Sequence, residues 1–361
     1  MNTFNTFANN FKQGQTNQER QWRRVSDFKD ITPEPREWCV ENWIPQGQVS
    51  LLYGDGGSGK TQLAIQLSLA TAAGQRWLGL NVKQGPTLFF TAEDDDKEIE
   101  RRVVASVAGM NLDFDDLYDA QVISYAGQAA LFSEIDPKTK VLSSNSLYDQ
   151  FVQKIATIRP TLAIIDTLAD IFPGDENNRA SARQFISMLR KPAIKYNCGI
   201  LVLAHPSLSG ITSGRGTSGS TGWSNSVRSR ILLRPDDDNT NQSLMSLEKS
   251  NYSDRNRKII AMEYANGVFV HDTNSSALDY RAASSKAQRV FLKLLEEFTS
   301  QYKTVNANGG STYAPRVFAT HAQSEGITKK GFTTAMNALL ANGEIESQKF
   351  ERATKLVRVE R

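Results

Sequence analysis

A chain of 361 residues exceeds one average domain, and 39% hydrophobic composition supports a core that needs no staples. Two distant cysteines outside any CxxC pattern, Cys39 and Cys198, argue against a disulfide framework or a zinc site; no apolar run is long enough to span a bilayer and no signal peptide opens the chain, so a cytoplasmic protein with no membrane is expected. The net charge of +3 is uneven: residues 281–361 carry 13 Lys and Arg against 7 Asp and Glu, while the remainder carries 29 against 32, a basic tail suited to nucleic acid.

Residues 1–30 are rich in Asn, Gln and Thr, with Phe4, Phe7, Phe11 and Trp22 spaced through them. They are too polar for a domain and read either as a disordered arm or as an arm whose aromatics dock on a neighbouring subunit. Residues 31–47 lead into the core, with Trp38 and Trp43 as anchors packed against it.

Val49, Ser50, Leu51, Leu52 and Tyr53 form a strand that breaks at Gly54, Asp55, Gly56, Gly57, Ser58 and Gly59. A helical pattern follows with Leu63, Ile65, Leu67 and Leu69. Gly54, Gly59, Lys60 and Thr61 satisfy G-x-x-x-x-G-K-[ST] between strand and helix, the context that a phosphate-binding loop requires. Glycines let the backbone curl so that N–H groups face an anion, and a helix N-terminus adds partial positive charge. Lys60 is expected to reach the β- and γ-phosphates of a nucleoside triphosphate, read as ATP, and the Thr61 hydroxyl to bind Mg²⁺.

A second apolar strand, residues 87–91, ends in Ala92, Glu93 and Asp94 and is read as the neighbour of the first. A carboxylate there would orient a water attacking the γ-phosphate, the role expected of Glu93; Asp94, Asp95 and Asp96 are read as caps of the helix that follows to about residue 109. Arg101 and Arg102 on that helix are either solvated or placed over a nucleotide base. Residues 111–145 read as irregular apart from a strand near 121–125, and a helix over 146–158 precedes the apolar run of residues 161–166. That run is the Walker B form, a buried strand delivering Asp166 to hold a water on Mg²⁺. Thr167 follows where many motor ATPases have Glu, which leaves Glu93 as the base.

After a helix over 180–196, the strand at 199–204 ends at His205, a polar tip that can contact the γ-phosphate. The Gly/Ser/Thr-rich stretch 207–223 carries one cation, Arg215. With Ser213, Thr217 and Ser218 it suits gripping phosphates of a single strand; the alternative is a flexible linker. Arg228, Arg230 and Lys249 stand on a junction and hairpin past the fourth core strand, far from their own phosphate loop, and suggest fingers acting in trans. A further hairpin, over 258–263 and 267–271, closes the body. His271 and His321 stand alone and do not suggest a metal. Residues 273–285 read as a linker. Three helical patterns and two strand-like runs after residue 286 give a winged-helix layout, a DNA-contacting or protein-contacting module in which Lys329 and Lys330 begin the recognition helix.

With LLYGDGGSGKT, FFTAED followed by EIERR, LAIID and LVLAHPS in place, residues 26–272 resemble the RecA-fold ATPases of the RepA-type hexameric helicases of plasmids and phages. The resemblance implies an α/β RecA-like core with a twisted, mostly parallel sheet, here over residues 31–272, and a six-subunit homo-oligomeric ring. It implies Lys60 and Thr61 on phosphate and Mg²⁺, Glu93 as catalytic carboxylate, Asp166 as Walker B acid and His205 as γ-phosphate sensor. Arg102 would stack on the base, Arg228 would be the arginine finger with Arg230 close behind, and Lys249 a second trans cation. Relatives of the DnaB type have Lys-x-Arg there and a folded N-terminal domain; this chain has KSN at 249–251, and its polar residues 1–30 are not expected to form such a domain. The expected function is a Mg²⁺-dependent ATPase, a ring helicase moving on single-stranded DNA for phage or plasmid replication. Its rivals are a non-helicase RecA-like ATPase of recombination or defence, and a nucleotide-switched DNA-binding or assembly protein working through the winged helix.

Overall fold

A computed structural model describes residues 22–117, 119–205, 221–236, 239, 241–253, 258–273, 277–350 and 353–359. The chain divides into two units, Met1–Arg36 and Glu37–Arg361. In the first, the short 3-10 turn Val25–Phe28 is closed by the Arg24 amide donating to Asp27, and the Arg23 guanidinium lies 4.5 Å from the Phe28 ring centre. Residues 31–36 fall in this first unit, so the part of the lead-in that belongs with the core is residues 37–47.

In the second unit a ribbon of β1 (Trp38–Val40) and β2 (Ile44–Pro45) precedes β3 (Val49–Tyr53), which passes through the glycine loop into α1 (Lys60–Ala73). Trp43 is buried and Trp38 half-buried. β4 (Thr87–Thr91), α2 (Asp96–Gly109), β5 (Ala120–Ser124), the small antiparallel pair β6 (Ser133–Ile135) and β7 (Leu142–Ser144), and α3 (Ser146–Ile158) follow. Next come β8 (Leu162–Asp166), the short α4 (Leu168–Ile171), α5 (Arg179–Tyr196), β9 (Gly199–Ala204) and the short α6 (Thr221–Ser226). β10 (Ser229–Pro235), β11 (Gln242–Ser250), β12 (Ile259–Ala265) and β13 (Val268–His271) complete the sheet.

The nine-stranded sheet runs β13-β12-β11-β10-β3-β9-β8-β4-β5. From β10 to β5 every pairing is parallel, and β10 to β13 pair antiparallel. β3, β4, β8 and β9 are buried at every position, as parallel strands covered on both faces must be. One face packs Leu52, Phe89, Ile164 and Leu203 against Leu63 and Leu67 of α1. The other packs Val49, Leu51, Tyr53 and Ile165 against Phe185 and Leu189 of α5. β4 is not the neighbour of β3, contrary to the sequence reading: β9 and β8 lie between them. β5 is one edge of the sheet, with Val122 and Ile123 about half exposed (49% and 51%), and β13 is the other.

The chain then forms α7 (Ala277–Ser300), α8 (Ala314–Ala319), α9 (Lys329–Ala341) and an antiparallel pair, β14 (Ile345–Phe350) with β15 (Ala353–Arg358). Val290, Phe291, Leu294, Phe318, Phe332 and Leu339 build a separate core there. Residues 277–285, read as linker, are the first turns of α7.

Candidate phosphate-binding and hydrolysis site

The glycine loop is fixed by packing as well as by conformation. The Gly54 amide donates to the Ala204 carbonyl of β9 at 3.3 Å, and a side chain at Gly54 would collide with the Leu233 carbonyl oxygen of β10. Gly57 and Gly59 have φ of +73° and +89°, the left-handed region, and a Cβ at Gly59 would stand 2.6 Å from the Phe269 ring. Lys60, buried at the start of α1, curls back so that Nζ donates to the Gly54 and Asp55 carbonyls at 2.9 and 3.0 Å. Burial lowers its pKa, opposed by the fields of Glu93, Asp166 and Asp55.

Thr61 Oγ1 donates to Asp166 Oδ2 at 2.8 Å. Asp166 is fully buried at the end of β8, and its Oδ1 has no hydrogen-bond partner. Burial pushes this carboxyl up to about 7; the Thr61 bond opposes that, and the Glu93 and Asp94 charges reinforce it. An orphaned carboxylate oxygen beside a hydroxyl is the donor set of a hard divalent cation, so Thr61 and Asp166 fit Mg²⁺. Among the described residues no three His, Cys, Asp or Glu side chains could hold a metal by themselves, so the remaining ligands would be phosphate oxygens and water.

Past the end of β4, the Thr91 hydroxyl accepts from the Glu93 and Asp94 amides at 3.2 and 3.4 Å, which turns the chain so that Glu93 is exposed. Although β4 is three places from β3, the Glu93 charge acts on Lys60, Asp166 and His205 alike. His205, at the tip of β9, has Nδ1 3.4 Å from Lys60 Nζ; burial first and then the Lys60 charge lower its pKa, which favours the neutral ring. Asp166, Glu93, His205 and the lysine thus converge at the carboxyl ends of β8, β4, β9 and β3, where ligands of open α/β sheets bind.

A family model described as an AAA domain matches residues 15–210, over half of the chain. The chain belongs to the AAA domain family. The matched span contains Lys60, Glu93, Asp166 and His205, and the chain is an ATPase of the AAA, P-loop type whose large, mostly parallel sheet fits a RecA-like core. Among solved structures, a KaiC-like protein from the hyperthermophilic archaeon Pyrococcus horikoshii aligns over 66% of this chain and 100% of its own, at 16% identity and a TM-score of 0.45.

Other expected site residues of this AAA-domain chain fall less neatly. Only Asp95 caps α2, accepting from the Glu98 amide at 2.8 Å. Asp94 instead pairs with Arg102, whose Nε lies 2.8 Å from Asp94 Oδ2 and 3.2 Å from Glu98 Oε1, so the expected base-stacking arginine is held by two carboxylates. Arg228 and Arg230 stand where β10 begins: the Arg228 amide donates to the Val49 carbonyl at the amino end of β3, and Arg230 pairs in register with Lys249 of β11. Lys329 and Lys330 are exposed at the start of α9. Ser213, Arg215, Thr217 and Ser218 lie outside the described residues.

Three contributors escaped the sequence reading. Phe269 of β13 walls the loop at Gly59. Gln66 of α1 donates to the Phe269 carbonyl at 3.0 Å and accepts from its amide at 2.7 Å, and Gln62 donates to the Gly267 carbonyl at 2.6 Å, fastening the β12–β13 hairpin to the phosphate-loop helix. The available signal was two glutamines one turn apart on a helix otherwise apolar almost all round.

Proposed function

We propose that the chain is a Mg²⁺-dependent ATPase that assembles as a ring and moves on single-stranded DNA, with hydrolysis completed between subunits. The observation carrying this reading is the separation of two half-sites on one sheet. Lys60, Thr61, Asp166, Glu93 and His205 gather at the carboxyl ends of the parallel strands. Arg228 sits at the amino end of β3, about 17 Å away for a five-residue strand, and on the face opposite α1. An arginine so placed serves a neighbour's phosphate rather than its own.

In this mechanism Gly54 to Gly59 and Lys60 bind the triphosphate, and Thr61 and Asp166 hold Mg²⁺, which neutralises charge on the phosphates when bound. Glu93 orients and deprotonates the attacking water. Neutral His205, beside Lys60, registers the γ-phosphate and passes its state to residues 207–223, including Ser213, Arg215, Thr217 and Ser218, which grip the strand. Arg228, seconded by Arg230 and Lys249, stabilises the developing charge in trans. Arg102 borders the base through the Asp94 pair. The module after residue 277, three helices and a two-stranded ribbon with its own core, supports a winged-helix reading in which Lys329 and Lys330 meet DNA.

The deciding experiment is ATP hydrolysis with and without single-stranded DNA, beside solution mass with a non-hydrolysable analogue. Stimulation together with a hexamer-sized particle, followed by strand displacement, supports the helicase. Stimulation without displacement points to a recombination or defence ATPase. Hydrolysis from a monomer, with DNA binding lost when Lys329 and Lys330 are replaced, points to a nucleotide-switched DNA-binding protein.

A further inference from the structure

The short helix α6 and Val227 just after it are held by three cations from three elements, and a fourth, Arg228, follows next in the chain. Lys249 Nζ of β11 donates to the Ser224 and Val227 carbonyls at 2.7 and 3.0 Å. Arg230 of β10 donates to Ser224 Oγ at 2.6 Å, its guanidinium 5.2 Å from the Tyr53 ring centre. Arg190, near the end of α5, donates to the Ser226 carbonyl. Arg228 leaves the chain one residue beyond Val227. The Nε atoms of Arg190, Arg228 and Arg230 are buried and lack hydrogen-bond partners. Among the described residues no ion pair joins a carboxylate to any of the four.

Fastening α6 explains part of this arrangement, since cations suit the carbonyls at a helix C-terminus. It does not explain Arg228, which contacts none of those carbonyls, nor why like charges are crowded with no counter-charge among the described residues, a costly arrangement. The cost is visible in the pKa directions: burial lowers that of Lys249, with Arg230, Arg228 and Arg190 adding to the effect, and burial with Arg228 lowers that of Arg190. An oxyanion would relieve every one of these strains and engage the orphaned guanidinium donors.

We propose that Arg190 joins Arg228, Arg230 and Lys249 in one oxyanion site, and that its ligand is the terminal phosphate of a nucleotide held by a second copy of this chain. The proposal rests on the in-trans reading above and adds a residue from a separate element. The chain's own nucleotide is set apart by place: Arg228 stands at the amino end of β3, and Tyr53, beside which Arg230 lies, packs on the α5 face, whereas the glycine loop leads into α1 on the opposite face. The donors now on the Ser224, Ser226 and Val227 carbonyls are the ones an oxyanion takes, so phosphate arrival and loosening of α6 are a single exchange of partners.

The test uses the full chain. Sedimentation with a non-hydrolysable ATP analogue gives the protein concentration at half-assembly; Arg190→Gln is expected to raise it about tenfold while leaving sedimentation without nucleotide unchanged. Arg190→Gln and Arg228→Ala are each then mixed with Lys60→Ala, which lacks a working phosphate loop but keeps all four cations. Recovery of ATP hydrolysis in both mixtures supports the inference, because the Lys60→Ala subunit lends its cluster to the neighbour's intact loop. Recovery with Arg228→Ala but not with Arg190→Gln overturns the role of Arg190 and leaves the in-trans reading standing. Recovery in neither removes that reading, and the inference with it. Weakened binding of single-stranded DNA without nucleotide, beside unchanged analogue-driven assembly, would assign the cluster to nucleic acid and also overturn the proposal. Should Arg190→Gln fail to fold, Arg190→Lys keeps a donor for Ser226 and takes its place in the same measurements, with a shift in half-assembly again expected from loss of the guanidinium fork.

Discussion

Asp166 is kept buried and half-partnered at a cost to the free protein. Its carboxyl titrates at about 7 in the fold against an ordinary 3.8, so between those values the folded state binds more protons than the unfolded one. Stability from this group is therefore lost as pH rises through 7, and the penalty vanishes below about 4. Asp166→Asn should raise the melting temperature of protein free of nucleotide and divalent cation at pH 8, with the gain shrinking towards pH 4, while hydrolysis is lost; an unchanged melting temperature at pH 8 would refute this account of the site. Gly54→Ala should cost about 1–3 kcal/mol by urea unfolding, because the methyl group meets a backbone carbonyl that cannot swing away. At this scale the sequence was eloquent about Gly54, Lys60, Thr61 and Asp166, because loop spacing and an apolar strand ending in Asp are local patterns. It was silent on how Glu93 reaches them, since strand order is set by long-range packing and no local pattern encodes that β9 and β8 intervene.

Among the elements, α1 does more than present Lys60. Gln66 satisfies both backbone groups of Phe269, the ring that walls the loop. Gln66→Leu strands a buried amide and carbonyl and should destabilise by about 1–3 kcal/mol, read as a lower urea midpoint, with weaker ATP binding as Phe269 shifts. A midpoint equal to the parent's would show the hairpin holding without it. Most helices and strands were legible from period and caps, as with α3, whose Asn145 cap accepts from the Tyr148 amide at 3.1 Å. Two stretches were not. The strands of β6 and β7 are three residues each, too short for a period of two to register. Residues 277–285 look linker-like in composition, yet alanine is the strongest helix former and α7 extends through them.

For the whole molecule, the phosphate loop leads into α1 on one face of the sheet, while Arg190, Arg228, Arg230 and Lys249 lie towards the α5 face with no carboxylate paired to them among the described residues. Arg228→Ala should therefore lower ATP hydrolysis on the order of a thousandfold and abolish the rise of specific activity with protein concentration, while nucleotide binding by the protomer persists. Concentration-dependent activity surviving the substitution would move the finger elsewhere. The proposed division between subunits is only partly legible in the sequence, because a cation's distance from its own loop depends on the pairing of β10 with β3. The helix where residues 207–220 end carries Trp223, buried, edge-on to Phe172 with ring centres 4.9 Å apart, its indole N–H donating to the Glu176 carbonyl at 2.8 Å. An indole in that setting is a built-in optical reporter. Its emission, isolated by subtracting the spectrum of Trp223→Phe, should shift to the red if the proposed loosening of α6 lets water in, so that exchange of partners could be followed by light alone, with no label attached.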